Sequence, residues 1–184
     1  MAIRSLWDTL FGMSQLVITA VGPDRPGIVG ELTAHLHAGG ANILDSRMVN
    51  LRGEFAMLIL LEAAEASASE LRRQLPGVGE KMGLRLTVSE LQIGQRVRGL
   101  PFRLKTYSMD QPGIVAKLAQ VLRQYGVNIE ELSARQDSAP FDGSPLFQTE
   151  MRLTVPGTVS LGKLRAELES VGSSLNCDID LDPA

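Results

Sequence analysis

The chain has 184 residues, with 18 Lys and Arg against 21 Asp and Glu and a net charge of −3. That balance argues against direct nucleic-acid binding, which needs a basic patch, and an aromatic content of 4% leaves few platforms for base stacking. The one cysteine, Cys177, excludes an intrachain disulfide or a thiolate metal cluster and fits a reducing cytoplasm.

Residues 1–12 form an N-terminal extension in which Ile3, Leu6, Trp7, Leu10 and Phe11 fall at helical spacing. The run is too short and too interrupted for a signal peptide or a membrane span. It reads as a short docked helix or a partly ordered leader. Leu16–Val21 is rich in β-branched residues and closes on Gly22-Pro23, so it predicts a strand.

Asp24-Arg25-Pro26-Gly27-Ile28-Val29 then opens a helix. Pro26 suits the first turn, and Asp24 stands where a carboxylate caps free N–H groups. Ile28, Val29, Leu32 and Leu36 make the buried stripe, and Gly39-Gly40 ends the helix. Asn42–Asn50 and Phe55–Leu61 predict two further strands. The second is apolar on both parities, which a sheet with one wet face should not show. Its outer face is therefore either covered or a self-association surface, which would make the protein a homodimer. Ser67–Leu75 predicts a helix capped by serine and stopped at Pro76-Gly77, and Leu84–Leu91 a half-buried strand.

Residues 92–100 read as a linker whose basic Arg96-Val97-Arg98 run is solvated. Beyond it the order repeats. Asp110-Gln111-Pro112-Gly113-Ile114-Val115 lies 86 positions after the first motif. The same offset pairs Leu32 with Leu118, Leu36 with Leu122, Gly40 with Gly126 and Asn42 with Asn128. Phe102–Met109, Asn128–Asp137, Leu146–Val155 and Leu175–Leu181 predict strands; Gly113–Tyr125 and Leu161–Val171 predict helices. Residues 138–145 form a longer, Pro- and Gly-rich loop than their counterpart. The reading is two domains, 13–91 and 101–184, each βαββαβ. This is the α+β ferredoxin-like arrangement, an antiparallel sheet with helices on one face.

That fold carries no function by itself, so the site rests on residues. A helix start presents N–H groups to a carboxylate. A glycine there lets a ligand approach the backbone. An adjacent aspartate suits an ammonium. Together they match the two ends of an α-amino acid, although each aspartate could equally serve as a helix cap. Asn42 and Asn128 begin the strand after each helix and so should lie at the opposite sheet end from their own Asp loop. Pairing of the halves by pseudo-two-fold symmetry would set Asn128 against the Asp24 loop and Asn42 against the Asp110 loop.

The pattern of a strand, Asp-x-Pro-Gly-Ile-Val, an amphipathic helix and Gly-x-Asn-Ile resembles the ACT domain, a regulatory amino-acid-binding module, in two copies over residues 15–182. The resemblance implies a ligand held between paired ACT domains, as serine is in phosphoglycerate dehydrogenase. The implied ligand-binding positions are Asp24, Arg25, Pro26, Gly27, Ile28 and Asn42, with Asp110, Gln111, Pro112, Gly113, Ile114 and Asn128. The dehydrogenase has Asn where this chain has Asp. The tandem, with Ser144-Pro145-Leu146-Phe147, most resembles the glycine cleavage system transcriptional repressor family. That implies a cytoplasmic, non-catalytic regulator responding to an amino acid such as glycine and acting through a DNA-binding transcription factor, with no cofactor.

Two other classes compete. An acylphosphatase-like enzyme shares the topology, but Arg25 becomes Gln111 in the second copy, so a duplicated anion-binding arginine is absent. A pure interaction module with vestigial pockets would work through Phe55–Leu61 and Ile3–Phe11. His35 and His37 point to different helix faces, so a shared metal is not expected. Asp178, Asp180 and Asp182 read as a fraying acidic tail rather than a calcium loop.

Overall fold

The computed structural model describes residues 12–91, 97–138 and 145–184. The proposed N-terminal helix, most of the linker and the tip of the long loop lie outside them. The chain divides into two compact units, Met1–Ile93 and Gly94–Ala184.

The first unit runs β1 (Met13–Pro23), α1 (Ile28–Ala38), β2 (Asn42–Leu51), β3 (Glu54–Ala64), α2 (Glu65–Met82) and β4 (Arg85–Glu90). The second runs β5 (Gly99–Met109), α3 (Ile114–Gln124), β6 (Asn128–Ser138), β7 (Pro145–Pro156), α4 (Leu161–Ser174) and β8 (Cys177–Pro183). Each sheet is antiparallel with two helices on one face, in the orders β2-β3-β1-β4 and β6-β7-β5-β8. This is the ferredoxin-like fold, built twice.

Alternation along the central strands decides the inner face. Leu16, Ile18 and Ala20 of β1 and Phe55, Ile59 and Leu61 of β3 are fully buried. They meet Leu32 and Leu36 of α1 and Leu71 and Leu75 of α2 in one core. The second core joins Leu104, Met151 and Leu153 to Leu118, Leu122, Leu164 and Leu168. Neither core contains a residue of the other unit. Within the second core, Thr106 and Thr149 are buried cross-strand partners whose hydroxyls hydrogen-bond at 2.7 Å.

The outer faces differ. Val17, Val21, Ala56, Leu58 and Leu60 lie on the outer face of the first sheet, and Leu58 is 49% exposed. The both-parity apolar run of β3 is thus uncovered at Leu58, while Ala56 and Leu60 are half-buried. The second sheet carries Arg103, Lys105, Glu150 and Arg152 there, with ion pairs Arg103–Glu150 at 3.3 Å and Arg152–Glu131 at 3.0 Å.

Two expectations fail. The second helix does not stop at Pro76-Gly77, nor does a serine cap it: α2 runs through Pro76 to Met82, and its N-cap is Ala64. A buried proline-free stripe of Ala68, Leu71, Leu75 and Gly79 continues past the break. Burial of that face outweighs the roughly 3 kcal/mol by which proline disfavours a helix interior. The acidic C-terminus is not frayed either. Asp178, Asp180 and Asp182 belong to β8 and pair with Tyr107, Lys105 and Arg103 on β5.

Candidate functional site

Both Asp-x-Pro-Gly loops join the end of a central strand to a helix, and both differ from the capping expected of them. The N-cap is the glycine, Gly27 at φ 87° and Gly113 at φ 94°, with no side-chain cap bond. That left-handed conformation strains any residue with a Cβ, which explains the glycine. It also takes the aspartate out of capping range. Helical bonding starts with Glu31 N–H to Gly27 O at 2.9 Å and Lys117 N–H to Gly113 O at 3.0 Å. The first-turn N–H groups ahead of these lie before the helical ladder, as at any helix start.

Released from capping, the aspartates are held by the far end of the next strand. Asn50 Nδ2 donates to Asp24 Oδ2 at 2.5 Å, and Asn50 Oδ1 accepts from Gly53 N–H at 3.1 Å. In the second unit Gln136 Nε2 donates to Asp110 Oδ2 at 2.7 Å. Asp24 N–H also donates to Gly53 O at 2.7 Å, and Asp110 N–H to Pro145 O at 3.0 Å. Sequence reasoning missed Asn50 and Gln136. The signal was there, since the 86-residue offset that aligns the two motifs aligns two side-chain amides as well. Both aspartates are exposed, and the second oxygen of each carboxylate, Oδ1, makes no hydrogen bond among the described residues.

The residue after each aspartate behaves differently in the two copies. Arg25 forms a two-pronged pair with Glu31, Nη1–Oε1 at 2.7 Å and Nη2–Oε2 at 2.6 Å. The hydrogen bonds from Arg25 hold the Glu31 carboxyl below its ordinary range. Lys117 occupies the place of Glu31 in the second copy. Gln111 turns the other way and donates to Leu175 O. Pro26, Gly27, Pro112 and Gly113 are exposed around the loops. The side chains of Ile28 and Ile114 are in the cores, 2% and 1% exposed, so only their backbone faces the loop.

Asn42 and Asn128 sit where the topology requires. Asn42 pairs with Glu62 on β3, whereas Pro23, next to Asp24, pairs with Glu54. The eight-residue separation along β3 is roughly 27 Å at about 3.4 Å per residue. Asn42 therefore cannot reach its own unit's Asp loop, and the same register separates Asn128 from Asp110. Asn42 Nδ2 donates to Glu62 Oε1 at 3.1 Å and Asn128 Nδ2 to Glu130 Oε1 at 2.7 Å. Each asparagine is followed by a bulge, at Ile43/Asp45 and Ile129/Glu131, where the edge strand bends.

The fold and the loop of the first unit match a known family. An ACT-domain model matches residues 14–89, all but the two end residues of the first unit's sheet. A UPF0237 protein from Methanopyrus kandleri is 40% identical over 78 residues, covering 41% of this chain and 87% of the relative. This chain belongs to the ACT-domain family. As a tandem of two ACT units it is also similar to a glycine cleavage system transcriptional repressor from Escherichia coli. There the identity is 26% over 172 residues, covering 91% of this chain and 89% of the relative. In structure it is similar to an unknown protein from Galdieria sulphuraria, with a TM-score of 0.78 and 28% identity. That match covers 94% of this chain and 99% of the other. Among the described residues no helix is long and apolar enough to cross a membrane, and no three His, Cys, Asp or Glu side chains converge on a metal position.

Proposed function

We propose that this ACT-domain protein is a non-catalytic regulator. It binds a small α-amino acid at its Asp-x-Pro-Gly loops and passes that state to a transcriptional regulator by protein contact. The observation that carries the reading is the loop itself, built twice with one carboxylate oxygen tethered and the other open beside a helix start. The open oxygen suits an ammonium, and the helix N–H groups suit a carboxylate. Arg25 is engaged by Glu31, and Gln111 stands in its place in the second loop, which supports regulation over acyl-phosphate turnover. The relative's name, glycine cleavage system transcriptional repressor, supports amino-acid-linked control of transcription, and the acidic balance supports action through a partner rather than on DNA.

Because each asparagine lies far from its own loop, a loop needs the asparagine of another ACT unit to enclose its ligand, in the same or a second copy of the chain. Two or three charge-assisted bonds of about 1.5–3 kcal/mol each give micromolar-class binding at best. Calorimetry of the full chain against a panel of amino acids tests this. Binding should appear in that range. Asp24→Ala and Asn128→Ala should each weaken one and the same site by about tenfold or more, the loss of a single such bond. Unchanged affinity in both variants refutes the pairing of loop with asparagine. Absence of binding to any amino acid, with a transcription factor still bound, favours a second reading in which the exposed apolar sheet face around Leu58 is the working surface.

A further inference from the structure

The two copies of the asparagine are not set in equal surroundings, and the difference bears on which amino acid is bound. Between α1 and the start of β2 lies a cleft of about 400 Å³, lined by Gly30, Thr33, Ala34, His37 and Asn42 among others. That volume falls within the range of small-molecule pockets, about 300–1,000 Å³. The cleft exists because its helical wall is small. A Cβ added at Gly30 would meet nothing within 4 Å, and Ala34 adds only a methyl. The Thr33 hydroxyl is turned back onto its own helix, donating to Val29 O at 2.8 Å. At the same places the second unit has Ala116 for Gly30, Gln120 for Ala34, Arg123 for His37 and Val127 for Ala41. All four are larger.

We infer that this cleft receives the side chain of the bound amino acid, and that the ligand seated at Asn42 therefore bears a polar side chain rather than being glycine. The inference rests on the amino-acid reading above. Glycine has nothing to place in a cleft of this size and would leave it to water. The polar groups of the wall fit a hydrogen-bonding side chain. Asn42 Nδ2 is engaged by Glu62, which leaves its Oδ1 as an acceptor. His37 supplies an exposed imidazole with two ring nitrogens for hydrogen bonding. The apolar walls, Ala34 and Ala41, suit the methylene stem of such a chain.

The test is the ratio of affinities for glutamine and glycine, measured by calorimetry on the full chain, with serine and leucine as comparison ligands. Glutamine or serine should bind at least tenfold tighter than glycine, and leucine should not match them. Ala34→Gln, which installs the second copy's residue on an exposed helical position, and His37→Ala should each cut that ratio at least fivefold, with circular dichroism confirming the fold. Glycine binding as tightly as the best larger ligand overturns the inference, and so does an unchanged ratio in both variants. If Asp24→Ala and Asp110→Ala abolish binding while Ala34→Gln leaves the ratio intact, the cleft assignment alone falls. If the wild-type chain binds no amino acid at all, the cleft assignment and the amino-acid reading fall together.

Discussion

At the scale of single residues, each loop holds its aspartate by an amide rather than using it as a cap. Asn50 and Gln136 each donate a hydrogen bond to one carboxylate oxygen and leave the other for solvent or ligand. The loop motif was legible in the sequence because backbone constraints demand its proline and glycine. The amide was legible only as a repeated side chain and not as the aspartate's partner, because it lies 26 residues further on and meets the aspartate only once the strands pair. The pair Arg25–Glu31 has a measurable consequence of its own. Glu31 has a folded-state pKa below its ordinary value. Its contribution to stability is therefore present above the ordinary carboxylate range and is lost as pH falls through the lowered value. Both groups are exposed, so the effect is local and salt-sensitive. An NMR titration should find Glu31 titrating below the ordinary carboxylate range. Arg25→Gln, the second copy's residue, should return it to the ordinary range; a Glu31 titration indifferent to Arg25→Gln would show the pair to be absent in solution.

At the scale of elements, the strands and first helices were readable because alternation and the 3.6-residue stripe are local. The second helix was misread because its continuation depends on what it packs against. Gly79 lies past Pro76 on α2, and a Cβ there would come within 2.6 Å of Leu84 O and 2.9 Å of Leu86 Cγ. Gly172 on α4 takes the corresponding place, with Cys177 O at 2.7 Å and Ile179 side-chain atoms at 3.0 Å. In both units a glycine lets the second helix approach the last strand, and the obstruction is largely backbone, which cannot swing away. Gly79→Ala and Gly172→Ala should each destabilise by about 1–3 kcal/mol, the usual cost of overpacking. Urea unfolding would read this directly. A gain in stability, as expected from helix propensity alone, would mean that the helix end can retreat freely. The ordered acidic strand β8 was missed for a related reason. Its aspartates alternate with the core-facing Cys177 and Leu181, and only pairing to β5 reveals that alternation as a strand face.

At the scale of the whole molecule, duplication has produced two separate cores on one plan. Leu32 and Leu118 hold the same place in each and are fully buried. Leu32→Ala and Leu118→Ala should each cost about 2–5 kcal/mol. Because the two clusters share no residue, hydrogen exchange should accelerate in the mutated unit and leave the slowest amides of the other unchanged. Equal acceleration in both units would show that the chain opens as one cooperative body. The surfaces have diverged more than the cores. The outer face of one sheet is apolar around Leu58, and that of the other is a lattice of alternating charges. A core tolerates little change because it is close-packed, whereas a surface is free to drift.

The left-handed glycines carry one more consequence, for the history of the loops rather than their chemistry. Gly27 and Gly113 resist replacement because of their φ angles, and the prolines beside them fit a preset backbone. Each aspartate is held by its amide. The variable letter in each motif is the one after the aspartate, where Arg25 folds onto its own helix and Gln111 reaches toward the end of α4. Mutation at that single codon could retune one mouth while leaving the other intact. A duplicated domain would then keep one ancestral sensor while its twin explores a new ligand.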